Sequence, residues 1–531
     1  MLYILGGVAL CAALLVWNYV RIPWDMPRNI PSVPIYVSLI GLWSNMGQDE
    51  IYQRWLRAPL EKHGAVKIFF AGRWNVLVTR PEYLTDMFRR EDVYAKAGSQ
   101  KKIPWSVIAT LVGDNVINSH GEDWKLYTSV LKPGIQKQDF RIEPIVDKTR
   151  TFVSMLLEDQ RRCGPARGVM VNGLIQRWAI AIMGECFLDI DFGCLENAGV
   201  RVEELQSIIK RVLFHPLFFN FPTLDKFPWL FRSRKYAYSI VREFEELLVQ
   251  LVRTRPRKIN PYSKEDEKGR RRGDQSGELV IHLLERALDD GAITEAQFRA
   301  NLKIVFLTAH ENVQQLLNSV FWELGVNQEV QEKLRAEVLA TGAETPTAEL
   351  LNNDMPYLTS VVYEMMRLYP PVSQLINRVT VAPAVLASKI EIPNRTWVGW
   401  NAYGVHTDAG VWRDAMSFVP ERWGTNMKDI QAMYRREQVR GNYIPFNAHT
   451  RKCLGSGFAL LETKVALFEL MRRTRWTVDP TYEYKLTPVR YSWDAPYVIV
   501  ANFVRVVFSR RCGARSFWRS CNRARRRIDE A

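Results

Sequence analysis

The sequence predicts a mainly α-helical body with small β-sheets at its periphery, held as a single large domain behind an N-terminal transmembrane helix. Three observations carry this. The chain opens on nineteen residues without a charge, LYILGGVALCAALLVWNYV. Apolar residues recur at helical spacing through most of the remaining chain, as in TEAQFRANLKIVFLTAHENVQQLLNSVFWELG (294–325), which is apolar nearly all round in its middle and so reads as a buried helix. Strand-like runs are few and short, at AVKIFFAGRWNVLVT, INRVTV, IEIPNRTWVGW and YVIVANFVRVVF. With 47% apolar and 24% charged residues, and with 17 tryptophans and 24 phenylalanines, the 531-residue chain is globular and has room for an aromatic-lined cavity.

Taken in order, residues 1–20 form the anchor. Nineteen helical residues span about 29 Å, close to the thickness of a bilayer's hydrocarbon core. Trp17 and Tyr19 stand where an interfacial belt belongs, and Arg21 and Arg28 follow, which keeps the C-terminal side cytosolic. A basic start and a small-residue cleavage site, the marks of a cleaved signal peptide, are both missing. Residues 21–50 begin with RIPWDMPRNIPSVP, whose four prolines in fourteen residues make a semi-rigid spacer. Residues 51–508 contain no second linker and no internal repeat, and the helix in AELLNNDMPYLTSVVYEMMRLYPP ends at Pro370 and Pro371. The basic run at 253–274 reads as a surface loop, and residues 509–531, with eight arginines in twenty-three residues, as a solvated, disordered tail. Together these runs supply much of the net charge of +15, but they fit no DNA- or RNA-reading motif, so no nucleic-acid partner is expected. The seven cysteines show no CxxC pair and no regular spacing, which argues against a disulfide framework, a structural zinc site and covalent haem attachment.

Three separated pieces need one explanation. Glu364-Met-Met-Arg367 sets an acid and a base three apart on one helix face. FVPERW (418–423) carries Arg422 in a proline-marked loop. FNAHTRKCLG (446–455) sets Cys453 among basic residues just before an apolar helix, where the helix dipole, Arg451 and Lys452 favour a thiolate. In this order the pieces resemble the signatures of the cytochrome P-450 family of haem-thiolate enzymes: Glu-x-x-Arg, Pro-Glu-Arg-Phe, and Phe-x-x-Gly-x-Arg-x-Cys-x-Gly. Phe446, Arg451, Cys453 and Gly455 match the last of these, and the resemblance runs from about Pro31 to Phe508.

The resemblance implies haem b, with Cys453 as the axial iron ligand. A thiolate there pushes electron density toward dioxygen. It implies that Phe446 shields the sulfur, that Gly455 lets the backbone approach the porphyrin, and that Arg451 and Arg378 reach the propionates. Trp124 matches the tryptophan of a Trp-x-x-x-Arg helix whose arginine is replaced by Thr128, with Lys125 a candidate for the missing charge. Glu364, Arg367 and Arg422 would form a buried structural triad that locks the cysteine loop. Thr308 to Val313 take the place of the family's Ala/Gly-Gly-x-Asp/Glu-Thr-Thr. Ala309 would leave space for substrate and oxygen, Glu311 would relay protons, and Asn312 would replace the usual hydroxyl with an amide that can still hold a water. His449 stands at the first glycine of the cysteine motif, so that turn must avoid positive φ or tolerate strain.

On the substrate side, RVLFHPLFFNFPTLDKFPWLF (211–231) corresponds to the family's roof over the pocket. Phe214, Phe218, Phe219, Phe221, Phe227 and Trp229 are candidates to meet substrate or membrane. KKIPWSVIATLVG (101–113) offers Ile103, Trp105 and Ile108. The family implies an endoplasmic-reticulum-anchored monooxygenase fed by an NADPH-cytochrome reductase, oxidising a small, largely apolar molecule. The overall look resembles fungal members that tailor secondary metabolites. A haem-thiolate isomerase or dehydratase acting on a peroxide, and a non-catalytic haem-binding sensor or scaffold, are the alternatives.

Overall fold

The structure, a computed structural model, describes residues 2–44, 46–136, 141–164, 167–213, 215–256, 278–481, 485–486, 501–502 and 505–509. Phe214, residues 257–274 of the basic run, the tail from Arg510 with Cys512 and Cys521, and part of the last strand-like run lie outside the described residues.

Helices dominate, as the periodicity predicts. Those that matter for the site are α1 (Leu2–Val20), α2 (Glu122–Ile135), α3 (Arg201–Leu213), α4 (Arg232–Thr254), α5 (Glu295–Val326), α6 (Pro356–Leu368), α7 (Met427–Arg440) and α8 (Ser456–Arg473). The long α5 starts on a capping box in which Thr294 and Gln297 satisfy each other's backbone N–H groups. It runs one residue past Gly325 and threads the main core, with Leu302, Phe306, Leu317 and Phe321 all inaccessible to solvent. The stretch expected to hold one helix before Pro370 holds two. They are Ala348–Asn353 and α6, parted at Asp354 and Met355 because Pro356 cannot continue a preceding helix but fits a first turn.

Five strands make the main sheet: β1 (Ala65–Phe70), β2 (Arg73–Val78), β3 (Tyr94–Lys96), β4 (Gln374–Thr380) and β5 (Trp397–Asn401), in the order β1-β2-β5-β4-β3. β1 and β2 are an antiparallel hairpin turned at Ala71 and Gly72, both at positive φ. β4 carries an irregularity between Leu375 and Arg378, and its register sets Arg378 opposite Lys96 of β3. Smaller sheets lie elsewhere, including a three-stranded one built from Val169–Met170, Arg475–Val478 and Arg505–Ser509.

Two expectations about the N-terminal region need adjustment. The proline-rich stretch is not a free spacer: Met26, Ile30 and Val33 are buried, and Pro31 and Val33 exchange backbone hydrogen bonds with Lys67 at 2.8 Å each. Proline favours extended chain, and an extended chain can pair with a sheet edge. At the expected anchor position the structure has the helix α1, but among the described residues no helix is long and apolar enough to cross a membrane. The end of α1 docks on the body. Trp74 donates its indole N–H to the Val20 carbonyl at 2.8 Å, and Tyr19 stacks on Phe221 with ring centroids 5.7 Å apart.

Candidate active site

Cys453 lies between the short turn His449–Arg451 and α8, and its backbone N–H donates to the Phe446 carbonyl at 2.8 Å. This ties the ends of the cysteine loop together. The glycine position of the motif resolves in favour of strain: His449 sits at φ 56° and Asn447 at 62°, in the left-handed region. Asparagine tolerates that conformation better than histidine does. Gly455 caps α8 with ordinary dihedrals, and a Cβ built on it would meet no atom within 4 Å. The backbone there is open to the close approach of a flat group.

The Gly455 N–H at the helix entrance and Lys452 act on Cys453 in the expected direction, but burial acts against them. The residue is exposed, yet the surrounding protein pushes its thiol pKa up by desolvation, against the Gly455 N–H and Lys452, which pull it down. Arg451 does not act on the sulfur because its guanidinium is engaged elsewhere. It stacks 4.4 Å from the Trp124 ring centroid on α2 and donates to the Ser119 carbonyl at 2.6 Å. A bound cation would supply what the peptide does not, since a coordinating thiol loses its proton to the metal.

Arg451 belongs to a buried cation cluster. Arg378, 1% exposed, Lys96, 4%, and Arg451, 8%, share one carboxylate, Glu91, whose Oε1 lies 3.1 Å from Arg451 Nε and 3.8 Å from Arg378 Nη1. Desolvation pushes both guanidinium groups down to about 10 and the Lys96 ammonium well below its usual range. Around the cluster lie buried polar atoms with no hydrogen-bond partner: Arg378 Nε and Nη2, Arg451 Nη1, His120 Nδ1, Ser119 Oγ and Thr128 Oγ1. The basic groups outnumber their one carboxylate, and the orphaned polar atoms come from four segments: β4, residues 119–120, α2 and the turn before Cys453. Buried donors and charges are costly unless paired. The two carboxylates of a haem b would balance that charge, so these residues fit the group. Lys96, Glu91 and His120 are members that the sequence reading missed, because no motif spacing marks them. Lys125 is the opposite case. It is exposed and paired with Glu122 at 2.7 Å, while the orphaned Thr128 hydroxyl occupies the position it was meant to serve.

Glu364, Arg367 and Arg422 come together around one carboxylate. Glu364 Oε1 accepts from Arg367 Nη2 (2.8 Å), Arg422 Nε (2.9 Å) and the Val419 N–H (3.0 Å). Its Oε2 accepts from Arg367 Nε (2.9 Å) and from Trp423 Nε1 (3.1 Å), the last a partner that the sequence reading did not assign. Arg367 also donates to the carbonyls of His406, Ala415 and Ser417, so α6 is bolted to the 406–423 segment. His406 Nε2 then accepts the Ile444 N–H at 2.8 Å, which carries the same clamp into the chain leading to Cys453.

On α5, Ala309, Glu311 and Asn312 are half-buried. Asn312 donates its side-chain amide to the Thr308 carbonyl one turn back at 3.3 Å. Glu311 accepts a hydrogen bond from the Gln206 amide of α3, which fixes the carboxyl group between the two helices. His310 points into the core: Nδ1 meets the Phe306 carbonyl at 2.6 Å, and burial pushes its pKa down to about 3, so it is neutral. Ile103 is buried with Ala71 and Phe219 in a small apolar cluster that Ile108 and Phe70 complete. Phe218 is not in that cluster. It packs under the Arg234 guanidinium, 4.5 Å from its ring centroid, and against Phe231. Trp105 faces Lys226, whose ammonium lies 4.1 Å from its ring centroid.

A helical body, a peripheral sheet, and a cysteine loop beside buried basic groups that outnumber their one carboxylate are what a haem-thiolate enzyme would need. The family model for cytochrome P450 matches residues 31–490, and the chain belongs to that family. It is 58% identical over 493 residues to the cytochrome P450 monooxygenase xanG of Aspergillus fumigatus, covering 92% of this chain and 90% of that one. It is 36% identical over 468 residues to cytochrome P450-DIT2 of Saccharomyces cerevisiae, covering 88% and 91%. Among solved structures it is similar to the haem domain of cytochrome P450DA, with a TM-score of 0.70 over 92% of this chain and 99% of that one; at 18% identity this likeness speaks for the fold. The protein is an oxidoreductase of the P450 monooxygenase class.

Proposed function

We propose that the protein is a membrane-associated haem-thiolate monooxygenase that oxidises a small, largely apolar natural-product intermediate in secondary metabolism, by hydroxylation or by a radical-derived ring closure, desaturation or coupling. The observation that carries the haem assignment is the set of buried polar atoms without partners beside Arg378 and Arg451, two guanidinium groups that share the single carboxylate of Glu91. Cys453 would ligate the iron. Arg378, Arg451 and Lys96 would hold the propionates, with Trp124 stacked on Arg451, and Phe446 would cover the sulfur. When bound, the haem supplies dioxygen activation with electrons from an NADPH-cytochrome reductase. The chain's own part is to place and protect. Ala309 keeps the α5 wall low beside the reacting atoms, Glu311, oriented by Gln206, relays protons, and the Asn312 amide holds a water. Ile103 and Ile108 exclude solvent on the substrate side.

Membrane association is supported by α1, nineteen residues without a charge, and by large apolar side chains left exposed beyond it: Trp24 at 82%, Trp43 at 56% and Trp229 at 73%. The contact of Tyr19 with Phe221 brings the end of α1 against the roof segment that holds Trp229. Such a patch suits attachment to the endoplasmic-reticulum surface, with the body on the cytosolic side.

The test is spectroscopic. The full chain, reduced under carbon monoxide, should show a strongly red-shifted Soret band that is absent in Cys453→His. A band indifferent to that substitution, or a protein that takes up no haem, would overturn the assignment.

A further inference from the structure

Residue 423 departs from the motif it belongs to. The family pattern ends on phenylalanine, and this chain has Trp423, whose indole N–H reaches Glu364 Oε2 at 3.1 Å. The change replaces a ring that resists oxidation by one that gives up an electron readily. Trp423 also stands in a row of oxidisable rings. The row starts at Tyr434 of α7, half-buried beside the cysteine loop, with the Lys452 ammonium 5.8 Å from its ring centroid. Burial pushes the Tyr434 hydroxyl up to about 12, and the charge of Cys453 acts in the same direction, which marks the two as neighbours. From Tyr434 the ring centroids run 5.6 Å to Tyr443, 4.8 Å from Tyr443 to Trp423 and 5.7 Å from Trp423 to Trp412. A second branch passes through Tyr363, 4.7 Å from Tyr434 and 5.4 Å from Trp423. Rings at these separations are in contact, so an electron has a continuous path from the core to the cysteine loop.

The surroundings decide where along the row a missing electron rests. A tyrosine that loses an electron must also lose its phenolic proton. Tyr443 has only a carbonyl to give it to: its hydroxyl donates to the Tyr363 backbone at 2.8 Å, and burial holds the proton in place. Burial does the same at Tyr363. An indole can lose an electron and stay a cation, so the tryptophans are the resting places. Between the two, electrostatics favours Trp423. The Arg367 guanidinium lies 5.5 Å from the Trp412 ring centroid, which opposes positive charge there, and the Trp412 N–H is buried without a partner. The Trp423 N–H instead meets a carboxylate, and a charge-assisted bond of that kind strengthens when the ring turns positive.

We propose that Trp423 is an oxidisable relay that drains a stray oxidising equivalent from the Cys453 side of the site, through Tyr434 and Tyr443, when no substrate takes it. This rests on the haem-thiolate reading. One electron leaves the Trp423 ring for the oxidised centre, the indole keeps its proton in the bond to Glu364, and the ring is left as a radical cation. A one-electron reductant such as ascorbate returns the electron by way of half-buried Tyr434 and is left as its own radical. A tryptophan that only props the Glu364 clamp would form no radical.

The experiment uses full-chain holoenzyme whose red-shifted Soret band has already been recorded, so failure of the haem reading shows before any oxidant is added. Substrate-free protein is mixed with peracetic acid, rapidly frozen and examined by electron paramagnetic resonance, with tryptophan or tyrosine ring-deuterated in turn. The expected radical signal narrows with deuterated tryptophan and disappears when ascorbate is added before freezing. Trp423→Phe installs the residue of the family motif. It should keep the Soret band, lose the tryptophan signal and bleach faster under repeated peracid. Trp423→Tyr, a second variant that keeps an aromatic ring, should lose the tryptophan response too, and Trp412→Phe should retain it. No protein radical, a radical that responds only to deuterated tyrosine in the parent, or a tryptophan signal that survives both substitutions at 423 overturns the proposal. So does loss of the signal in Trp412→Phe alone, which would place the radical on Trp412.

Discussion

Replacing Glu364 by glutamine keeps the shape of the side chain and removes its charge. The carboxylate accepts five hydrogen bonds, three on Oε1 and two on Oε2. An amide offers one acceptor and one donor group. Even with its NH2 at the less loaded position, it would face Arg367 Nε and Trp423 Nε1, donor against donor. Each stranded buried donor costs about 1–3 kcal/mol. Arg367, fully buried, would also keep its charge without a counter-ion, and breaking a buried pair from one side typically costs about 3–5 kcal/mol. The two estimates overlap, so Glu364→Gln should lose about 3–5 kcal/mol, a large part of the stability of an ordinary domain. The loss should fall on the segment running through His406 and Ile444 toward Cys453. Urea unfolding of the holoenzyme and the haem-to-protein ratio after purification both read it. A variant within about 1 kcal/mol of the parent with full haem content would show that the triad is replaceable packing, and the clamp argument would fail.

Two further outcomes rest on the same geometry. His449→Gly should stabilise the protein by about 0.5–1 kcal/mol in urea unfolding, since relief of the left-handed strain at φ 56° outweighs the added chain entropy of glycine; a loss would mean that the imidazole contributes packing. Glu323, pushed up to about 7 by burial against the donors Tyr369 and Asn327, binds its proton more tightly folded than unfolded. Its contribution is therefore greatest below about pH 4.5 and falls as pH rises toward 7, by up to about 3 kcal/mol. Glu323→Gln should flatten that decline, and matching pH profiles of unfolding free energy for parent and variant would refute it.

Much of the site was legible because its pieces are local. The order of EMMR, PERW and FNAHTRKCLG is a property of the chain, and so is the helical period of 294–325, which the structure extends by one residue. Local spacing also posed the question at His449, although the answer, a strained turn, needed backbone angles. What stayed hidden is made of residues far apart in sequence. Glu91 meets Arg451 across 360 positions, and Lys96 meets Arg378 through strand register. Lys125, exposed and paired with Glu122 three residues away, shows a different limit. On a helix, an exposed lysine and an inward one differ by a rotation that single-residue identity does not reveal.

By itself the sequence determined the class of chemistry: a thiol at a helix entrance, an acid on a buried helix, and a charge-free N-terminal segment. Only the tertiary structure decided which charges are paired and which are left over. Pairing is set by distance and burial, because a cation's cost depends on whether water or a counter-ion reaches it. One such remainder emerged, the basic groups of Arg378 and Arg451 around Glu91, and no spacing rule that a linear reading could apply marks it.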